Sequence, residues 1–152
     1  MNPLATRYTL VSGKGEGDAP LTAFDAALLS SKVGNYNLVR VSSVMPAATV
    51  ETESLDVPIG SVVYIAYGTH RSAVAGERIC AAVGLGRTPN HGPGMIMEYS
   101  GPGTAHDAGE QVERMVREAF ARRGWDLAEV KVRSIEHVVE SNGAVFAGCA
   151  LW

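Results

Sequence analysis

A chain of 152 residues with 13 basic and 16 acidic side chains carries a formal charge of −3. That length suits one compact domain burying its own core without disulfide or metal staples, and with no basic block or stripe the charge excludes nucleic acid or a membrane as an electrostatic partner. Cys80 and Cys149 lie far apart in apolar company, the first residues lack a leader's charged and apolar regions, and no apolar run approaches spanning length; reduced core thiols in a soluble, cytoplasmic protein are expected.

In chain order, YTLVS at 8–12 reads as a strand and SGKGEG at 12–17 as a mobile turn. The glycines lack the GxGxxG and GxxxxGK spacings of a phosphate cradle. Thr22 and Asp25 have the S/T-x-x-D/E spacing of a reciprocal N-cap, which predicts a helix over TAFDAALLSSK with Phe24, Ala27 and Leu28 on one face. YNLVRVSSVM, residues 36–45, then reads as one strand ended by Pro46, with two serines set side by side among its apolar residues. The plain reading of Ser42 and Ser43 is that both hydroxyls bond to nearby backbone.

SVVYIAYGTH, RICAAVGL and GMIMEYS are further strands, with GRTPNHGPG at 86–94 as a loop. Glu98 sits between Met97 and Tyr99 in the last of these. Either it points outward at a strand end, or burial raises its pKa and makes it an acid near neutrality; both readings stay open on residues alone. A second helix is expected from Thr104, with Asp107 in its cap, Val112, Met115, Val116, Ala119 and Phe120 on one stripe, and Gly124 as its left-handed stop. The Glu110–Arg114, Glu113–Arg117 and Glu118–Arg122 spacings mark its solvated face. VKVRSIEHVVE follows as a strand, and Asn142-Gly143 is expected to turn a hairpin into AVFAGCALW.

His70, His91, His106 and His137 are scattered without ligand spacing, so no metal is expected, and no GxSxG elbow surrounds any serine. Several strands are apolar on both faces and need cover on both sides, by helices on one and a second sheet on the other. The class is therefore layered α+β in a single domain, residues 1–152.

GEGDAPLTAFDAALLSSKVGNYNLVRVSSVMP, IMEYSG, RGWDL and EHVVESNGAVFAGCALW together resemble the pyruvoyl-dependent arginine decarboxylases. AFDAAL, the N-x-x-R-x-S-S-x-x-P pattern from Asn37 to Pro46 and Met97-Glu98-Tyr99 are the most specific portions. The resemblance implies a four-layer αββα sandwich, assembled as a homotrimer or as a hexamer of paired trimers, with active sites between neighbours. It implies that the Ser43 hydroxyl attacks the carbonyl of Ser42 and that elimination then divides the chain into residues 1–42 and 43–152. Residue 43 becomes a pyruvoyl group, the only cofactor, with neither metal nor pyridoxal phosphate.

That ketone would form a Schiff base with L-arginine and accept electrons as carbon dioxide leaves, giving agmatine. The family match makes Glu98 the proton donor, Asn37 a polar residue assisting cleavage and orientation near residue 43, and Asp25 the acid that binds the guanidinium. Lys32 and Ala47 depart from the family pattern, where a smaller residue and a second proline are expected. The alternatives are the same chemistry on another amino acid, or an uncleaved, non-catalytic trimer that binds a small molecule.

Overall fold

A computed structural model describes residues 4–152. The described residues form β1 (Arg7–Glu16), α1 (Pro20–Ser30), β2 (Asn37–Arg40), β3 (Val44–Met45), β4 (Val50–Glu51), β5 (Val62–Ser72), β6 (Arg78–Arg87), β7 (Gly94–Pro102), α2 (Ala105–Arg123), β8 (Glu129–Val138) and β9 (Gly143–Leu151). They make a single α+β domain with two sheets, ordered β2-β5-β9-β1-β4 and β3-β7-β6-β8.

Alternation along the strands places the core. Tyr8, Leu10, Ala66, Val145, Ala147 and Cys149 of the first sheet share a buried cluster with Ile79, Ala81, Val83, Leu85 and Ile96 of the second. The opposite side chains of the first sheet, including Val11, Val63, Ile65 and Phe146, pack with Ala23 and Ala27 of α1. Val112, Val116, Ala119 and Phe120 of α2 are buried as the sequence stripe predicts, against Ala82 and Met95 of the second sheet. Cys80 and Cys149 are both free and buried.

α2 starts and stops where the sequence places it. The Thr104 hydroxyl accepts the Asp107 N–H at 3.1 Å, Gly124 takes φ 63°, and the three glutamate–arginine pairs form on the wet face. α1 corrects the expectation. Its N-cap is Ala19, with Pro20 opening the helix, and Thr22 lies inside, its hydroxyl accepting the Ala19 N–H at 3.0 Å. Asp25 is therefore not a capping acid, because the helix begins a turn earlier than the Thr22 spacing suggests. At the other end, Lys32 N–H bonds to Leu29 O and Val33 N–H to Leu28 O, a paired closure with Lys32 at φ 63° where glycine is usual.

Three further expectations change. The glycine-rich stretch is not a turn but, through Glu16, the second half of β1, which pairs to β9 from Tyr8↔Leu151 to Glu16↔Gly143. Its glycines let α1 lie directly on the strand: a Cβ at Gly13 would meet Ser31 Oγ at 2.3 Å, and one at Gly15 would meet Ala26 Cβ at 2.5 Å. Asn142-Gly143 does turn the chain but makes no hairpin, since β8 pairs with β6 and β9 with β1 and β5; neither residue has positive φ. The third change concerns YNLVRVSSVM, which is two strands in two sheets. β2 runs parallel to β5, from Asn37↔Val62 to Arg40↔Ile65, and β3 pairs antiparallel with β7 through Val44↔Met95 and Met45↔Gly94.

Candidate active site

The crossing from one sheet to the other takes place over Val41, Ser42 and Ser43. Val41 N–H still bonds to Ile65 O on β5 at 3.1 Å, whereas Ser43 C=O already accepts the Ile96 N–H of β7 at 2.7 Å. Between these anchors, Val44 N–H donates back to Ser42 C=O at 3.2 Å, an i to i+2 bond that folds the chain sharply at Ser43. Ser42 is exposed and Ser43 half-buried. Among the described residues neither hydroxyl has a hydrogen-bond partner, so the backbone-bonded reading of the pair is not what the structure shows.

Glu98 faces this crossing from β7. Ile96 and Ser100, two residues to either side, define its side of the strand: Ile96 lies in the core between the sheets, and the Ser100 hydroxyl donates to Thr69 O of β5 at 2.9 Å. Glu98 thus projects from the second sheet toward the first. Gly68 of β5 makes room for it, since a Cβ there would lie 3.2 Å from Tyr99 O and 3.5 Å from Glu98 Cβ. One carboxylate oxygen, Oε2, is buried without a hydrogen-bond partner. Burial pushes the Glu98 carboxyl above its ordinary range, against an opposing pull from Arg40.

Arg40 is the residue that sequence reasoning left without a role, although it stands in the N-x-x-R pattern. β2 stops pairing at Arg40↔Ile65, and the Arg40 side chain continues along the edge of β5 to donate to Tyr67 O at 2.5 Å. Its guanidinium lies 4.5 Å from the centre of the Tyr67 ring, which stacks on Phe146. From there Nη2 is 3.9 Å from Glu98 Oε1.

Asn37 and Asp25 are not brought to the serines within the chain. Asn37 opens β2, and its amide Nδ2 donates to Gly60 O at 2.7 Å. Asp25 is exposed on α1, which packs on β1, β9 and β5, and among the described residues its carboxylate has no hydrogen-bond or ion-pair partner. Two surface clefts lie elsewhere: one is lined by Ser31, Lys32, Glu53 and Arg133, another by Met97, Met115 and Arg122, and neither includes Ser43 or Glu98. His106, Asp107 and Glu110 gather potential ligand atoms on the first two turns of α2, all of them exposed. There His106 and Glu110 form an i, i+4 pair at 3.5 Å beside the capped N-terminus. No helix of the described residues is long and apolar enough to cross a membrane.

A family model described as pyruvoyl-dependent arginine decarboxylase matches residues 7–151. The chain is 40% identical over 150 residues to the pyruvoyl-dependent arginine decarboxylase of Methanocaldococcus jannaschii, covering 98% of this chain and 91% of that protein. It is 45% identical over 139 residues to the protein of the same name from Thermococcus kodakarensis, covering 91% and 88% of the two chains. With its counterpart from Pyrococcus abyssi it shares 41% identity over 137 residues, 89% and 87% of the two.

Proposed function

The chain belongs to the pyruvoyl-dependent arginine decarboxylase family, and from that membership we propose that it converts L-arginine to agmatine and carbon dioxide with a pyruvoyl group made from Ser43. The residues present fit that group. The Ser43 hydroxyl is unengaged, and the Val44 N–H on the Ser42 carbonyl supports polarisation of that carbonyl toward attack. Cleavage there leaves residues 1–42 and 43–152, with residue 43 held by its carbonyl to Ile96. When formed, that group would supply a ketone for condensation with the substrate amine and an electron sink for the pair released with carbon dioxide.

The observation that carries the reading is Glu98: a carboxyl half-buried opposite the Ser43 segment, with one oxygen desolvated and unpartnered. Burial favours the protonated form of such a group, and the proton it holds can be delivered to the carbon from which carbon dioxide departs. Asp25, relieved of any capping duty, presents a free carboxylate whose two oxygens match a planar guanidinium. Because α1 lies over the first sheet, away from the crossing, Asp25 and Asn37 serve a site shared with a neighbouring copy. Exposed apolar side chains around the crossing, Val39, Val44, Val62 and Tyr64, support burial by such a neighbour in a homotrimer or a hexamer. The clusters uniting the sheets with each other and with one helix apiece support the layer order α1, first sheet, second sheet, α2. The reading places the enzyme in the cytoplasm.

Intact-protein mass spectrometry with and without borohydride, followed by carbon dioxide release from arginine, lysine, ornithine and histidine, tests the proposal. Two chains broken between Ser42 and Ser43, the larger reducible, with release from arginine alone, are expected. Release from another amino acid instead would move the substrate, and an intact chain without turnover would make this a binding protein.

A further inference from the structure

Arg40 poses a problem for the acid it faces. A guanidinium 3.9 Å from Glu98 Oε1 favours the carboxylate, whereas a proton donor must hold its proton until the substrate needs it. The guanidinium is not free to leave, being fixed by the Tyr67 carbonyl and ring. Yet its side chain is 55% exposed, and among the described residues only Nη2 is engaged, so the rest of its donor fork is open to an incoming group. Arginine arrives with a carboxylate of its own, which agmatine lacks.

Resting on the function proposed above, we propose that Arg40 binds the α-carboxylate of the substrate and exchanges it for the Glu98 carboxylate as the reaction proceeds. Substrate binding places one negative charge against Arg40 and leaves Glu98 protonated. The bond between the α-carbon and the carboxylate then breaks and carbon dioxide leaves uncharged. The electron pair it leaves behind takes up the Glu98 proton as a new carbon–hydrogen bond. Glu98 is now the anion and Arg40 is still its neighbour, so the site's charge is the same before and after. A proton from water restores Glu98, and one proton is consumed for each carbon dioxide released. The single cation thus faces one carboxylate at each stage, first the substrate's and then the enzyme's.

Isothermal titration with arginine and with agmatine separates this role from simple support of the strand edge. The protein used is self-cleaved and borohydride-reduced, so that ligands bind without reacting. Arg40→Met should weaken arginine at least tenfold and change agmatine less than twofold, with Arg40→Lys recovering part of the arginine affinity. Equal weakening of both ligands, or unchanged arginine affinity, overturns the proposal. If Arg40→Met blocks cleavage, the same comparison between S43A and S43A/R40M gives the answer on the uncleaved chain. Failure of the underlying reading shows separately, as unreduced wild-type protein that releases no carbon dioxide from arginine.

Discussion

Glu98 illustrates how one side chain couples chemistry to stability. Burial raises its pKa and Arg40 only partly opposes the rise, so between the ordinary value of 4.5 and the raised native value the folded chain holds a proton that the unfolded chain has released. Stability therefore falls as pH rises through that window, and the cost of the buried charge is fully present above it. Glu98→Gln should raise the urea midpoint at pH 8 and leave it nearly unchanged at pH 4. In the same variant cleavage should proceed while turnover drops on the order of 10²-fold or more, as expected for loss of a general acid; ordinary turnover would remove Glu98 from the mechanism. Ser43→Ala should give a single full-length chain with unchanged circular dichroism, because the hydroxyl it removes makes no internal bond. The serines and Glu98 were legible through the motif they share with a family. Arg40 stood in the same motif without a role, because its partners, Tyr67 and Glu98, come from other strands and no spacing along the chain reveals them.

At the scale of elements, the two helices show why one cap was read correctly and the other was not. Thr104 and Thr22 have the same spacing to an acid, but at Thr22 the preceding proline extends the helix backward and turns the threonine into an internal residue. Thr104→Ala should lower stability by about 1 kcal/mol in denaturant titration, as for other lost caps. The C-terminal ends differ in a similar way: Gly124 occupies its left-handed position without strain, whereas Lys32 adopts φ 63° with a full side chain. Lys32→Gly should stabilise the fold by roughly 1 kcal/mol in the same titration, and no gain would show that Lys32 compensates through contacts of its own. Strand content was plain from β-branched and aromatic runs, but partnership was not. YNLVRVSSVM mixes apolar and polar residues on both sides of the crossing while its hydrogen bonds pass from Ile65 to Ile96, and composition carries no record of that exchange. The Asn142-Gly143 turn misled for the same reason, since a turn signal does not say which sheet the next strand will join.

Across the whole molecule, the apolar surplus of the strands correctly implied a second sheet, and the pairing order says what the proposed cleavage would leave behind. Residues 1–42 supply β1, α1 and β2, and β1 lies between β9 and β4 in the interior of the first sheet. β2 flanks β5, and Arg7 and Tyr8 pair with Val50 and Glu51. The two pieces would thus share the first sheet, while the second lies wholly within residues 43–152, and the smaller one should co-elute with the larger on gel filtration without denaturant. Separation of the two under native conditions would mean that the pairing described here does not survive the break.

The crossing at Ser42 and Ser43 also gives the molecule a history. Before the break, the strands on its two sides find their sheets as parts of one chain, at the high effective concentration that a short connection provides. Once cut as proposed, each copy of the chain that unfolds would have to reassemble from separate pieces, an encounter whose rate depends on how much of each is present. The uncut Ser43→Ala chain should regain each protomer's fold at a rate indifferent to dilution, while the cut form should slow as it is diluted and show hysteresis between unfolding and refolding curves. In the proposed maturation the covalent link that joins the two sheets is spent in making the reactive group, and the cut protein would keep a structure that it could no longer easily reach on its own.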